Sequence, residues 1–127
     1  MIKNIHHSAI ICSDYKKSKH FYTEVLNLEI IKETYRAERK SYKLDLALNG
    51  NYIIELFSFE NTPRRISRPE ACGLRHLAFS VENIESAVEE LQAKTIPTEP
   101  IRIDPITGKR FTFFSDPDDL PLELYEI

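Results

Sequence analysis

Four residues of this 127-residue chain have the types and spacing to hold a metal ion: His7, Glu55, His76 and Glu123. They stand out because the sequence repeats itself. Aligning HHSAIICSD with RHLAFSVEN sets His7 on His76, Ala9 on Ala78 and Asp14 on Asn83, all at an offset of 69. IELF at 54–57 then falls on LELY at 122–125, with Glu55 on Glu123 at an offset of 68. Self-similarity of this kind is stronger evidence than any local propensity. Each copy supplies one imidazole near the start of its first strand and one carboxylate near the end of its last.

Placing such groups inside apolar strands is unfavourable unless they are paired or bind a cation. Two nitrogen and two oxygen donors suit one divalent ion of the Ni, Zn, Co, Mn or Fe(II) kind. Calcium asks for more oxygens, and a closed structural zinc site favours thiolates. Strand alternation puts Ile10 and Cys12 on one face and His7, Ala9 and Ile11 on the other. Phe79 and Val81 likewise oppose His76 and Ala78, and Leu56 and Leu124 oppose Glu55 and Glu123. His6 aligns with Arg75 and is expected on the opposite face from His7, so it is not counted as a ligand.

The elements that must position these groups follow a β-α-β-β-β order, twice. Ile5 to Cys12 reads as a strand, and Asp14 caps a helix from Tyr15 to about Leu26 that Asn27 ends. Strands over Leu28–Arg36 and Ser41–Leu48 follow. In the second of these Tyr42, Leu44, Leu46 and Leu48 alternate with Ser41, Lys43, Asp45 and Ala47, so half of it faces something wetter. Asn49-Gly50-Asn51 signals a hairpin into a strand over Tyr52–Phe59. After the loop ENTPRRISRPEACG the order restarts. Leu74–Val81 reads as a strand, Asn83 caps a helix carrying Ile84, Ala87, Val88 and Leu91, and strands near 101–103, 111–114 and 120–125 complete it. The chain is read as one domain over 1–127, with module 1 at about 1–60, a loop at about 61–72 and module 2 at about 73–127.

A formal net charge of -3, with Lys and Arg scattered, gives no electrostatic case for nucleic acid. No segment approaches eighteen apolar residues, and no leader-like run opens the chain, so no membrane partner and a cytoplasmic location are expected. Cys12 and Cys72 lack metal or redox spacing and are read as reduced thiols used as small apolar groups. TGKR at 107–110 lacks the phosphate-loop pattern and precedes a strand, so it is a turn. Phe111, Phe113 and Phe114 are core and pocket wall, and His20 is a surface residue of the helix. Arg64, Arg65 and Arg68 in PRRISR are read as a solvated loop, with contact to an anionic substrate group as the alternative.

Taken together, HHSAIICSDYKKSKHFYTEVLNLE, NYIIELFSF, GLRHLAFSVENI and FTFFSDPDDLPLELYE resemble the vicinal oxygen chelate superfamily, which contains glyoxalase I, bleomycin-resistance proteins and extradiol dioxygenases. The resemblance implies an α+β fold of two βαβββ modules forming open half-barrel sheets, in which the first and last strands of a module lie side by side. It further implies a homodimer, a small-molecule substrate and a metal site. The glyoxalase I branch has the ligand order His, Glu, His, Glu, matched by His7, Glu55, His76 and Glu123. By that likeness the metal binds two vicinal oxygens of the substrate, such as a thiol hemithioacetal, and stabilises an enediolate or similar anion. Glu123 leaves the metal to move a proton, and Glu55 is its counterpart for the return. The expected activity is that of a glyoxalase I-like (lactoylglutathione lyase-like) lyase or isomerase. A methylmalonyl-CoA epimerase-like or Fe(II) dioxygenase enzyme and a non-catalytic drug-binding protein are the alternatives. The arginine that helps bacterial glyoxalase I hold glutathione is matched here by Ile11, which speaks against glutathione. The family's DPDG turn reads Asp116-Pro117-Asp118-Asp119.

Overall fold

Alternation along the strands decides what each sheet buries. The computed structural model describes all 127 residues and divides into two units, Met1–Arg64 and Arg65–Ile127. In the first, β1 (Ser8–Cys12), α1 (Tyr15–His20), β2 (Glu29–Arg36), β3 (Ser41–Leu48) and β4 (Asn51–Ser58) follow in order. The sheet runs β1-β4-β3-β2, with β1 parallel to β4 and the other neighbours antiparallel. Ile10, Cys12, Leu44, Leu46, Ile54 and Leu56 are buried on one face, as are Phe21, Tyr22 and Val25 of the helical segment.

Asp14 caps α1 by accepting the Lys17 N–H at 3.1 Å, which satisfies one of the free donors of the first turn. The expected helix to Leu26 is present but changes pitch: Phe21–Val25 is a wider π turn, closed by Leu26 N–H to the Phe21 carbonyl. Asn27, at φ 58°, ends it. Asn49 and Gly50, at φ 51° and 77°, form the two-residue hairpin between β3 and β4.

The second unit repeats the order with β5 (Leu77–Val81), α2 (Ile84–Ala93), β6 (Arg102–Ile103), β7 (Arg110–Ser115) and β8 (Pro121–Glu126). Its sheet runs β5-β8-β7-β6, again with the first strand parallel to the last. Asn83 caps α2 through the Ser86 N–H at 2.9 Å, and Ile84, Leu91, Phe114, Leu122 and Leu124 are buried. Asp119 occupies the left-handed region at φ 64°, and the Asp116 carboxylate ties that turn by accepting the N–H groups of Asp118 and Leu120, each at 2.9 Å. The TGKR segment is a turn, with Gly108 N–H donating to the Asp104 carbonyl at 2.8 Å. No helix is long and apolar enough to cross a membrane.

Two strands start later than expected, β1 at Ser8 rather than Ile5 and β5 at Leu77 rather than Leu74. The register explains both. Ser8 pairs with Ile54, so His7 falls opposite Ile53, the residue left unpaired where β3 passes from Leu46↔Ile54 to Ala47↔Tyr52. Leu77 pairs with Leu122, so His76 falls opposite Pro121, which has no N–H to offer. Each ladder stops at its histidine, which leaves that side chain at the open end of the parallel pair.

Candidate metal centre

In the first unit the parallel pairing of β1 with β4 brings His7 Nε2 to 3.4 Å from Glu55 Oε2. The side chains are 33% and 15% exposed, so both are accessible at a half-buried surface. In the second unit the same construction sets His76 Nε2 at 3.0 Å from Glu123 Oε2, with 31% and 12% exposure. These separations fit a shared cation. Two donors at about 2.0–2.2 Å from a metal and subtending a right to tetrahedral angle lie about 3.0–3.4 Å apart. Within neither unit do three or more His, Cys, Asp or Glu side chains gather into a metal-holding group. The donors are present as two pairs, one per unit.

The two pairs have different surroundings. Asp45 lies directly opposite Glu55 across the β3–β4 ladder, an arrangement that repels unless cations or donors intervene. Lys43 supplies the cation, with Nζ at 2.6 Å from Asp45 and 3.4 Å from Glu55. The Tyr52 hydroxyl stands 2.7 Å from Glu55 and 3.0 Å from Asp45. It has one proton, which serves the shorter contact to Glu55, and Asp45 is held chiefly by Lys43. Burial pushes the Glu55 carboxyl up, but Tyr52, Lys43 and His7 outweigh it and hold Glu55 below its ordinary value. Burial and the two carboxylates push the Tyr52 phenol up, so it stays a donor. The hydrogen bond to Asp45 raises Lys43, which stays an ammonium.

His6 corrects one expectation. It does not turn away from His7: the two Nδ1 atoms are 2.7 Å apart, and the His6 ring packs on both His7 and Tyr52, with centroids 5.0 and 5.1 Å away. Alternation fails because residues 6 and 7 precede the strand. In the second unit the matching surroundings are apolar. His76 meets Phe113 edge to face at 5.1 Å, and its Nδ1 is buried without a hydrogen-bond partner.

Lys43, Asp45 and Tyr52 carry no role in the sequence reading. The first two were visible as charged residues alternating on one face of β3, whereas Tyr52 was concealed by the bulge at Ile53, which turns it onto the face of Glu55. Of the loop arginines, Arg65 is used to tie its own unit, donating to the carbonyls of Leu74 and Arg75 and to Ser67 Oγ. Cys12 is buried as expected, but Cys72 is exposed and is not used as a core group. His20 is exposed, Phe114 is buried, and Phe111 and Phe113 are half-buried.

Sequence and structure comparisons agree with this frame. The Bacillus subtilis (strain 168) protein YwkD is 68% identical over 126 residues, covering 99% of this chain and 98% of its own. YaeR of Escherichia coli (strain K12) is 60% identical, covering 98% and 97%. A crystal structure of a glyoxalase family protein from Enterococcus faecalis, 51% identical, superposes with a TM-score of 0.91 over 98% of each chain. Two more distant relatives have named activities: a 2-epi-5-epi-valiolone epimerase from Actinomyces sp, 27% identical over 97% of this chain and 79% of that one, and the metallothiol transferase FosB of Staphylococcus saprophyticus, 29% identical over 98% and 78%. The model of the Glyoxalase/Bleomycin resistance protein/Dioxygenase superfamily matches residues 4–124, and the chain belongs to that family.

Proposed function

We propose that His7, Glu55, His76 and Glu123 bind one divalent metal ion and that the protein is a metal-dependent lyase or isomerase. Its substrate would be a small molecule with two vicinal oxygens, such as the hemithioacetal of a 2-oxoaldehyde and a thiol. The observation that carries this reading is the matched pair of His–Glu contacts, at 3.4 and 3.0 Å, one in each unit and each of a separation that a chelated cation can bridge. When bound, the metal supplies Lewis-acid stabilisation of negative charge developing on the substrate oxygens. By the likeness to the glyoxalase I branch, Glu123 is the group that moves the proton and Glu55 its counterpart for the return. Ile11, 56% exposed on the face that carries His7, offers an apolar wall where an arginine would greet the carboxylate of glutathione. The thiol partner is therefore one other than glutathione. The protein is further proposed to act as a homodimer in the cytoplasm.

The test is metal analysis followed by turnover. Purified protein restored with Ni, Zn, Co, Mn or Fe(II) should hold close to one ion per chain, and His7→Ala or Glu123→Ala should abolish it. Methylglyoxal with a low-molecular-weight thiol should then give a thioester. Metal-free protein with unchanged ligand binding would overturn the enzyme reading in favour of a drug-binding role. Metal binding with inertness toward every thiol would favour epimerase chemistry, the activity that the name of the 27% identical Actinomyces relative states.

A further inference from the structure

We infer that Tyr52, aimed by the bulge at Ile53 and backed by Lys43 and Asp45, is a positioning residue that holds Glu55 in place as a metal ligand. The inference rests on the metal reading above and adds to it the residue that orients one of the ligands.

Its basis is a comparison of the units at matching positions. Asp45 faces Glu55 as Phe113 faces Glu123, and Lys43 matches Phe111 by the same register. Tyr52 pairs with Ala47 as Pro121 pairs with Ser115, so the bulge sets Tyr52 against Pro121. Polar neighbours in the first unit are thus replaced one for one by apolar neighbours in the second. The backbone differs as well. The β3–β4 ladder carries the bulge, whereas β7–β8 runs from Phe111↔Tyr125 to Ser115↔Pro121 without interruption. Bulges of this kind re-aim side chains beside functional sites. Here the extra residue turns Tyr52, which strict alternation from Glu55 would place on the core face, onto the site face.

The imidazoles follow the same division. A His7 that binds through Nε2 carries its proton on Nδ1, and His6 Nδ1 at 2.7 Å is there to accept it. Partners of this kind fix ligand orientation and tautomer, and their loss weakens metal binding about 10–100-fold. His76 has no such partner, its Nδ1 being buried and unpaired, and Glu123 contacts only the imidazole beside it. In the first unit both donors are held from behind; in the second neither is. Of the two carboxylates that would hold the metal, Glu55 is the more firmly positioned, by Tyr52, Lys43 and His7.

The test is a titration of metal-free wild type, Tyr52→Phe and Tyr52→Leu with Co(II), followed by visible absorption. Tyr52→Phe keeps the ring and removes only the hydroxyl; Tyr52→Leu removes the ring as well. The expected result is about 10–100-fold weaker Co(II) binding in both variants, with a shifted or broadened ligand-field band that a purely structural residue would not alter. Tyr52→Phe binding as wild type does, with the same spectrum, overturns the assignment. So does weakening confined to Tyr52→Leu, which would trace the effect to ring packing. Wild type that fails to bind Co(II) removes the metal reading itself and this inference with it, an outcome separate from a variant-specific null.

Discussion

Removing and restoring the metal is expected to move the melting temperature of the protein by a calculable amount. At a free metal concentration 100 times the dissociation constant, binding to the folded state alone contributes about 2.7 kcal/mol. For a chain of 127 residues, each kcal/mol raises the midpoint by about 3–5 °C, so the shift should be about 8–13 °C. His7→Ala and His76→Ala separate the halves of the site. Each side chain is about a third exposed, 33% and 31%, so its loss from the metal-free protein should cost no more than about 1 kcal/mol. The variants therefore fold, and what they lose is the metal response. Scanning calorimetry of chelator-treated and metal-restored samples, with ion content measured on the same material, reads both quantities. A full shift retained in both variants would put the ion elsewhere and refute the reasoning; a full shift retained in one would reduce the site to a single His–Glu pair.

Leu56 is fully buried, and Leu56→Ala should cost about 2–5 kcal/mol by urea unfolding through lost burial and the cavity left behind. Asp14→Ala and Asn83→Ala remove the two helix caps and should each cost about 1 kcal/mol in the same assay. Arg110 holds Glu126 below its ordinary value, with help from the Ile84 N–H, and it lowers Glu85 in the same way. Carboxylates lowered on folding contribute stability that is present above the unfolded value of 4.5 and lost as pH falls through the folded value. The urea midpoint should therefore drop on acidification below about pH 4.5, and Arg110→Met should shrink that drop. An unchanged acid limb in the variant would show that the Arg110 pairs carry none of it.

The repeat made most of the fold legible. Because His7 with Glu55 and His76 with Glu123 recur at nearly constant spacing, one topology had to serve both halves, and strands, caps and turns fell close to their observed limits. Asp14, Asn27, Asn49-Gly50 and Asn83 announced themselves because each has a backbone role that few other residues fill. What stayed hidden depended on register. Nothing in NYIIELF marks Ile53 as the unpaired residue, since a bulge is decided by how two strands meet, and Tyr52 was therefore assigned to no site. His6 was assigned to the far face by an alternation that holds only inside a strand. The strand begins two residues after it, at Ser8, against a partner that cannot continue the ladder. Cys72 shows the limit of composition: an apolar thiol reads as core, yet a loop offers it nothing to bury against.

Register also explains how two copies of one frame can hold the same donors with such different neighbours. Glu55 sits between Ile54 and Leu56, and Glu123 between Leu122 and Leu124; all four aliphatic residues are 6% exposed or less. A slip of one residue would send each glutamate into the core and its neighbours into water. Exposing one such aliphatic side chain costs about 1.5–3 kcal/mol, and burying an unpaired carboxylate adds several more. The core thus fixes the register, and the parallel pairs Ser8↔Ile54 and Leu77↔Leu122 carry it across to the histidines. His–Glu distances follow from residues on the opposite face of the sheet, so the site-facing neighbours are free to change without moving the donors. Lys43, Asp45 and Tyr52 in one unit and Phe111, Phe113 and Pro121 in the other are two outcomes of that freedom, and the chemical difference between Glu55 and Glu123 resides in them rather than in the ligands.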